Sequence, residues 1–146
     1  MRHRTPRHVF VYGTLRSGEA RDINRLHPLP LVLGIGSIAG QLYDLGSYPG
    51  VRLGGAGRVA GEVYAISAEL ERRLDEIEEV WPKPSGEYVK QEVEVRLNTP
   101  LDNGSGPGAP AAAGLRCLVY EATQEAVLGR PAIKTGDWVA YRQRLR

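Results

Sequence analysis

Cysteine is nearly absent from this 146-residue chain: Cys117 is the only one. No disulfide can close within the chain, and such a composition fits a reducing, cytoplasmic setting. A catalytic thiol would want a histidine partner, and none lies near Cys117 in sequence. Within the strand-like run Leu115–Tyr120 this residue reads as a small buried hydrophobe. The histidines His3, His8 and His27 share neither HxxxH nor HxH spacing, and no cysteine cluster accompanies them, so no metal site is expected. Charge of one sign is also missing. With 19 Lys+Arg against 17 Asp+Glu the net charge is +2, too balanced to indicate a nucleic-acid partner. No apolar run approaches the ~20 residues that a membrane helix requires. The basic start is followed by an apolar run broken at Gly13, so no signal peptide is expected. No internal repeat is visible, and no regular alternation of strand and helix patterns suggests a doubly wound parallel sheet.

What is present is an ordinary soluble balance, 42% hydrophobic and 25% charged. It is enough for one core and predicts a single domain over 1–146. Residues 1–8 read as a flexible polar arm, with Arg2, His3, Arg4, Arg7 and His8 solvated. Val9–Tyr12 is a β-branched and aromatic run, a buried strand that breaks at Gly13 and again at Gly18. Leu31–Ile38 reads as a bent strand and Gln41–Leu45 as another. Val51–Leu53 and Val59–Ile66 read as a hairpin joined by the loop Gly54–Gly57. Ser67 is a good N-cap for a helix whose stripe is Leu70, Leu74 and Ile77 and whose end falls near Val80–Pro82. Tyr88–Leu97 alternates as a half-exposed strand, with Val89, Val93, Val95 and Leu97 on one face. The Gly/Pro/Ala-rich stretch 98–114 reads as a mobile loop. A last short helix covers Trp138–Leu145. Strands in both halves with one central helix predict a small α+β domain built on a mixed, partly closed sheet.

Two stretches carry chemistry. A strand running into a glycine-punctuated turn exposes successive backbone N–H groups, which can form a nest for an anion or a carbonyl oxygen; an ordinary strand and turn is the plain alternative for Val9–Gly18. The helix end Asp75–Glu79 holds four carboxylates, a pattern that is ordinarily a solvated face. Glu78 differs, because it borders the apolar stripe at the helix's C-terminal end. Desolvation and the negative end of the helix dipole would both raise its pKa, which suits a general acid or base near neutral pH. Asp75, three residues earlier on the same face, could orient its neighbours.

The run Val9–Gly18, with Tyr12-Gly13-Thr14-Leu15 at its centre, resembles the YGTLxxG signature of the γ-glutamylcyclotransferase-like (AIG2-like) family. Leu45–Gly50 is similar to that family's LGxYP segment, and Val59–Tyr64 to its V-x-G-E-x-Y strand. Leu74–Glu78 is similar to its LDxxE helix, followed by a tyrosine and a basic residue, here Tyr88 and Lys90. Ile133–Trp138 is similar to its I-x-x-G-D-W. The five blocks stand in the family's order and span nearly the whole chain.

The resemblance implies a small mixed α+β barrel with one central helix and a short C-terminal helix. It implies an enzyme that cyclises a γ-glutamyl amide to 5-oxoproline and releases a free amine, with a small-molecule substrate and no metal or cofactor. Carried over by position, Glu78 is the acid/base, and Tyr12, Gly13, Thr14 and Leu15 line the substrate site. Tyr48 and Tyr88 are placed as pocket walls, positions that a plain core role would fill equally well. Three departures stand out: Glu79 replaces the family's usual Gly, Lys90 replaces its usual Arg, and the connection Val80–Glu87 is unlike its usual short turn. They keep open a second reading, a catalytically inactive small-metabolite-binding protein of the same fold. Oligomeric state and the identity of the leaving amine are not encoded in any of these blocks.

Overall fold

A computed structural model of the chain describes residues 7–98 and 114–144. Its strands are β1 (Arg7–Val11), β2 (Leu31–Asp44), β3 (Pro49–Ile66), β4 (Tyr88–Leu97), β5 (Gly114–Ala122) and the short β6 (Ala132–Ile133). The helices are α1 (Ala68–Ile77), the one-turn α2 (Gln124–Val127) and α3 (Trp138–Arg144). β1 runs antiparallel to β3, β3 to β2, β2 to β4 and β4 to β5; β5 then returns to β1 in parallel through Val9 and Leu118. That ring closes a five-stranded mixed barrel, with β6 added outside the ring on β2. The α+β barrel expected from the resemblance is the observed architecture.

Closure explains why so few strands alternate cleanly between apolar and polar residues. Phe10, Val51, Val59, Val63, Val95, Cys117, Val119 and Trp138 fill the interior of the barrel. Val9, Val11, Tyr64, Ile66 and Leu118 point outward into a second core beneath α1. A strand buried on both faces reads as a continuous apolar run. Leu70 and Leu74, fully buried, seat α1 on that outer face, each stabilising by about 1.5–3 kcal/mol. Ser67 caps the helix, its hydroxyl accepting from the Leu70 amide at 3.0 Å.

Several sequence expectations need correction. Arg7 and His8, assigned to the flexible arm, lie in β1 opposite Ile66 and Ala65; residues 1–6 lie outside the described residues. The two strands expected within 31–45 are one, β2, and its hairpin partner is the equally long β3. Gly54–Gly57 is therefore no hairpin loop. Ala39 faces Arg58 and Gly40 faces Leu53, so these residues form a four-residue bulge within β3. Gly54 and Gly55 take φ of 97° and 88°, which side-chain-bearing residues rarely adopt. Val89 is exposed despite its parity, while Tyr88 and Lys90 on the opposite face turn toward α1. The helix α2 was not foreseen; Thr123 caps it. Of the loop 98–114, Asn98 donates its amide to Ile35 and Gly114 opens β5, while 99–113 lie outside the described residues, as does Leu145. No described helix is long and apolar enough to cross a membrane.

Candidate active site

β1 delivers its last residues to one end of the barrel, where the chain turns through Tyr12–Gly18. The Tyr12 ring stays inside the barrel. Its hydroxyl donates to the Tyr120 carbonyl at 2.7 Å and accepts from the Val51 amide at 3.2 Å, tying β1 to β5 and β3. Burial pushes its pKa far up, so the group stays a neutral phenol. From this anchor the turn folds back: the carbonyls of Gly13, Thr14 and Leu15 accept from the amides of Arg16, Arg21 and Ile23 at 3.0, 2.8 and 2.9 Å. The amides of Gly13, Thr14 and Leu15 find no acceptor among the described residues. Three successive N–H groups are thus left as donors in the turn.

Gly13 is required here by contact. A Cβ at this position would lie 2.6 Å from Cγ of Pro49 and 2.8 Å from its Cδ. Gly13→Ala is expected to cost about 1–3 kcal/mol by pushing the turn off the Pro49 ring. Denaturant unfolding checks the loss; a variant as stable as the parent would show that the turn yields freely.

The turn is braced from outside by residues of three of the five motif blocks. Arg16 donates to Glu62 at 3.2 Å and to Asp137 at 3.0 Å, and Glu62 also accepts from the Ser17 amide and the Tyr64 hydroxyl. Asp137 in turn accepts from the amides of Val139 and Ala140 and so caps α3. The spacing of these blocks along the sequence thus reflects one ion-paired junction behind the turn.

The residues assigned in the sequence as catalytic or substrate-binding line one cavity: Tyr12, Gly13, Thr14, Leu15, Tyr48, Glu78 and Tyr88; Asp75 lies behind its wall, bonded to Tyr120. Sequence reasoning missed Arg21, Pro49, Glu87 and Tyr120, which share its wall. Glu87 and Tyr120 sit beside or within recognised strands; Arg21 has no local signal. The tyrosine hydroxyls are all committed to the protein. Tyr88 donates to the Pro49 carbonyl at 2.7 Å, Tyr48 to Glu87 at 2.9 Å, and Tyr120 to Asp75 at 2.7 Å. They serve as fixed walls.

Glu78 is the C-cap of α1, and this half-buried carboxylate accepts no hydrogen bond among the described residues. Burial pushes its pKa up to about 7. The Arg21 charge opposes that rise, and the Glu87 and Glu79 charges add to it. The helix ends here, three residues earlier than the sequence suggested, in a Schellman turn: Val80 donates to the Asp75 carbonyl at 2.9 Å and Glu79 to that of Glu76 at 3.1 Å. Glu79 takes φ = 60°, the left-handed conformation that glycine adopts freely. The family's usual glycine at this position thus has a physical reason, and Glu79 bears a strain that glycine would not. Glu79→Gly is expected to raise stability by about 0.5–1 kcal/mol, read as a melting-point rise of about 2 °C in calorimetry. Removing a like charge should also lower the pKa of Glu78.

The other departure, Lys90, is accommodated. Its ammonium bridges Glu71 at 2.6 Å and Asp75 at 2.9 Å, one turn apart on α1, and Glu71 continues to Arg7 at 3.0 Å. A point charge with three rotatable donors can serve both carboxylates without the fixed geometry of a guanidinium fork. Asp75 thereby joins Tyr120 of the cavity wall to β4 and helps fix the helix that carries Glu78. Among the described residues no three His, Cys, Asp or Glu side chains are grouped to hold a metal ion.

Comparison with known proteins places this geometry. The family described as Gamma-glutamyl cyclotransferase, AIG2-like, matches residues 9–140. The Gamma-L-glutamyl-butirosin B gamma-glutamyl cyclotransferase of Niallia circulans is 38% identical over 91 residues, 62% of this chain and 57% of that protein. The matched segment thus spans little more than half of that relative's length. An AIG2-like protein from Mus musculus superposes with a TM-score of 0.68 at 26% identity, over 90% of this chain and 88% of that one. The protein ytfP from Escherichia coli superposes at 0.57 with 30% identity, over 92% and 98%.

Proposed function

Because the chain belongs to the γ-glutamyl cyclotransferase, AIG2-like family, we propose that it is an enzyme that cyclises a γ-glutamyl amide to 5-oxoproline and releases the free amine. The observation that carries this reading is the pairing, across one cavity, of an unbonded carboxylate with a turn whose successive amides are free.

The reaction requires the substrate's α-amine to attack its own δ-carbonyl. As the new C–N bond forms, Glu78 takes a proton from the attacking nitrogen. It returns that proton to the leaving nitrogen as the old amide bond breaks. No water is consumed and no net proton is gained or lost. A carboxylate held near pKa 7 is matched to both halves of that task. The amides of Gly13, Thr14 and Leu15 are donors for the negative charge of the substrate or of the tetrahedral intermediate. Fixed walls at Tyr12, Tyr48 and Tyr88 hold the chain of the substrate folded, so that amine and carbonyl meet. These are all groups of the protein itself, in keeping with cofactor-independent chemistry, and the lone buried thiol suits a cytoplasmic enzyme.

The test is release of 5-oxoproline from a panel of γ-glutamyl amines, amino acids and peptides. Turnover of at least one class supports the reading. Binding of 5-oxoproline with no turnover of any would instead favour a metabolite-binding protein.

A further inference from the structure

We propose that Arg21 is the cationic anchor for the substrate's α-carboxylate, a role that rests on the cyclotransferase reading of the cavity. Arg21 follows the substrate turn, and its amide donates to the Thr14 carbonyl at 2.8 Å, so its backbone is fastened beside the free amides. It lines the cavity that holds Glu78 and also the shallower depression beside it, where Asp22, Arg25, Leu26 and Ile77 lie. It therefore stands at the rim between the site and solvent.

Arg21 is the one arginine among the described residues that lines the cavity holding Glu78, and others are engaged in ion pairs within the protein. Arg16 pairs with Glu62 and Asp137, Arg52 with Glu121, Arg7 with Glu71 and Arg142 with Glu19. The guanidinium of Arg21 makes no ion pair or hydrogen bond among the described residues, although Glu78, Glu79 and Glu87 share its cavity. Its charge nonetheless reaches Glu78 and Tyr48, lowering the pKa of each against the effects that raise them.

The substrate supplies what this arrangement lacks. In a γ-glutamyl group the α-carboxylate and the attacking α-amine share one carbon. With the amine at Glu78, the carboxylate falls between the turn amides and the side chain rooted beside Thr14. A guanidinium offers a carboxylate two parallel donors, which neutral amides do not, and such charge-assisted pairs are the stronger ones. Arg21 would then do two things. It would select γ-glutamyl compounds with a free α-carboxylate, and it would keep Glu78 from rising further above neutrality.

The experiment compares wild-type protein, Arg21→Ala and Arg21→Lys on two probes. One is a γ-glutamyl alkylamide whose only carboxylate is the α one; the other is its α-carboxamide analogue. Calorimetric binding of 5-oxoproline and of its carboxamide runs beside the kinetics. Arg21→Ala should raise KM for the carboxylate substrate and Kd for 5-oxoproline by about 10–100-fold, with the larger part of the loss in KM rather than kcat. The carboxamide pair should be indifferent to the substitution, Arg21→Lys should fall between, and the acidic limb of the rate profile should move to higher pH. Unchanged binding of 5-oxoproline in Arg21→Ala, or an equal loss for the carboxamide, would overturn the anchor while leaving the cyclotransferase reading intact. A wild-type protein that neither binds 5-oxoproline nor releases it would overturn both.

Discussion

Replacing Glu78 by glutamine is expected to lower kcat for 5-oxoproline release by about 10²–10⁴-fold, with KM little changed. Glutamine keeps the shape and the walls but can neither take the proton from the attacking nitrogen nor hand it to the leaving one. The wild-type rate carries the signature of the same group. In the proposed mechanism Glu78 is a base only when ionised, and burial pushes its pKa up to about 7, so kcat/KM should fall tenfold for each pH unit below neutrality. The groups that set this limb are Arg21, which lowers it, and Glu87 and Glu79, which raise it; the phenols of Tyr12, Tyr88 and Tyr120 stay neutral throughout. Stopped assays across the pH range check both points. A glutamine variant with more than about a tenth of the parental rate would remove Glu78 from the mechanism.

The same substitution is expected to make the protein more stable above neutrality. In the unfolded chain Glu78 ionises at the ordinary glutamate value of 4.5, whereas in the folded protein burial makes it hold its proton to about 7. The folded state therefore binds more protons than the unfolded one between those values. Stability from this group is complete below pH 4.5 and is lost as pH rises through 7. The full difference corresponds to about 3 kcal/mol, reduced by whatever solvent reaches a half-buried side chain. At about pH 8 Glu78→Gln should thus gain about 2–3 kcal/mol, a melting-point rise of about 4–10 °C. Near pH 4 the two proteins should melt together. Calorimetry at both pH values decides it: a gain that persists at low pH would locate the cause in packing rather than in ionisation. A carboxylate that weakens the fold above neutrality is the expected cost of holding the proposed base at such a pKa.

The local devices of this fold were legible in the sequence because local chemistry builds them. Ser67 caps α1, Leu70 and Leu74 bury its stripe, and Val9–Val11 lie in the strand that leads into the Tyr12–Gly18 turn. Glu78 could be singled out because its place beside the apolar stripe follows from helical spacing alone. The errors lie where a residue's partner is distant. Gly54–Gly57 has the composition of a turn, but its conformation is set by Ala39 and Gly40, which pair with the residues on either side of it. The end of α1 was misplaced because the stop is made by Glu79 in a conformation that sequence ascribes to glycine. Arg21, Glu87 and Tyr120 reach the cavity from three separate segments, and only closure of the barrel brings them together.

That closure has a kinetic side. β1 is made before the other described strands, yet its neighbours are Glu62–Ile66 of β3 and Leu118 of β5, and Tyr12 is fastened to Tyr120. The Tyr12–Tyr120 hydrogen bond beside the pairing that finishes the ring thus joins residues 108 positions apart, a long chain loop whose entropy must be lost before the contact is gained. The Tyr12–Gly18 turn is made early and shaped late. During synthesis β3 can cover one edge of β1 once Ile66 is made, but the edge that meets β5 must wait for most of the chain, and a complete cavity marks a molecule whose barrel has closed.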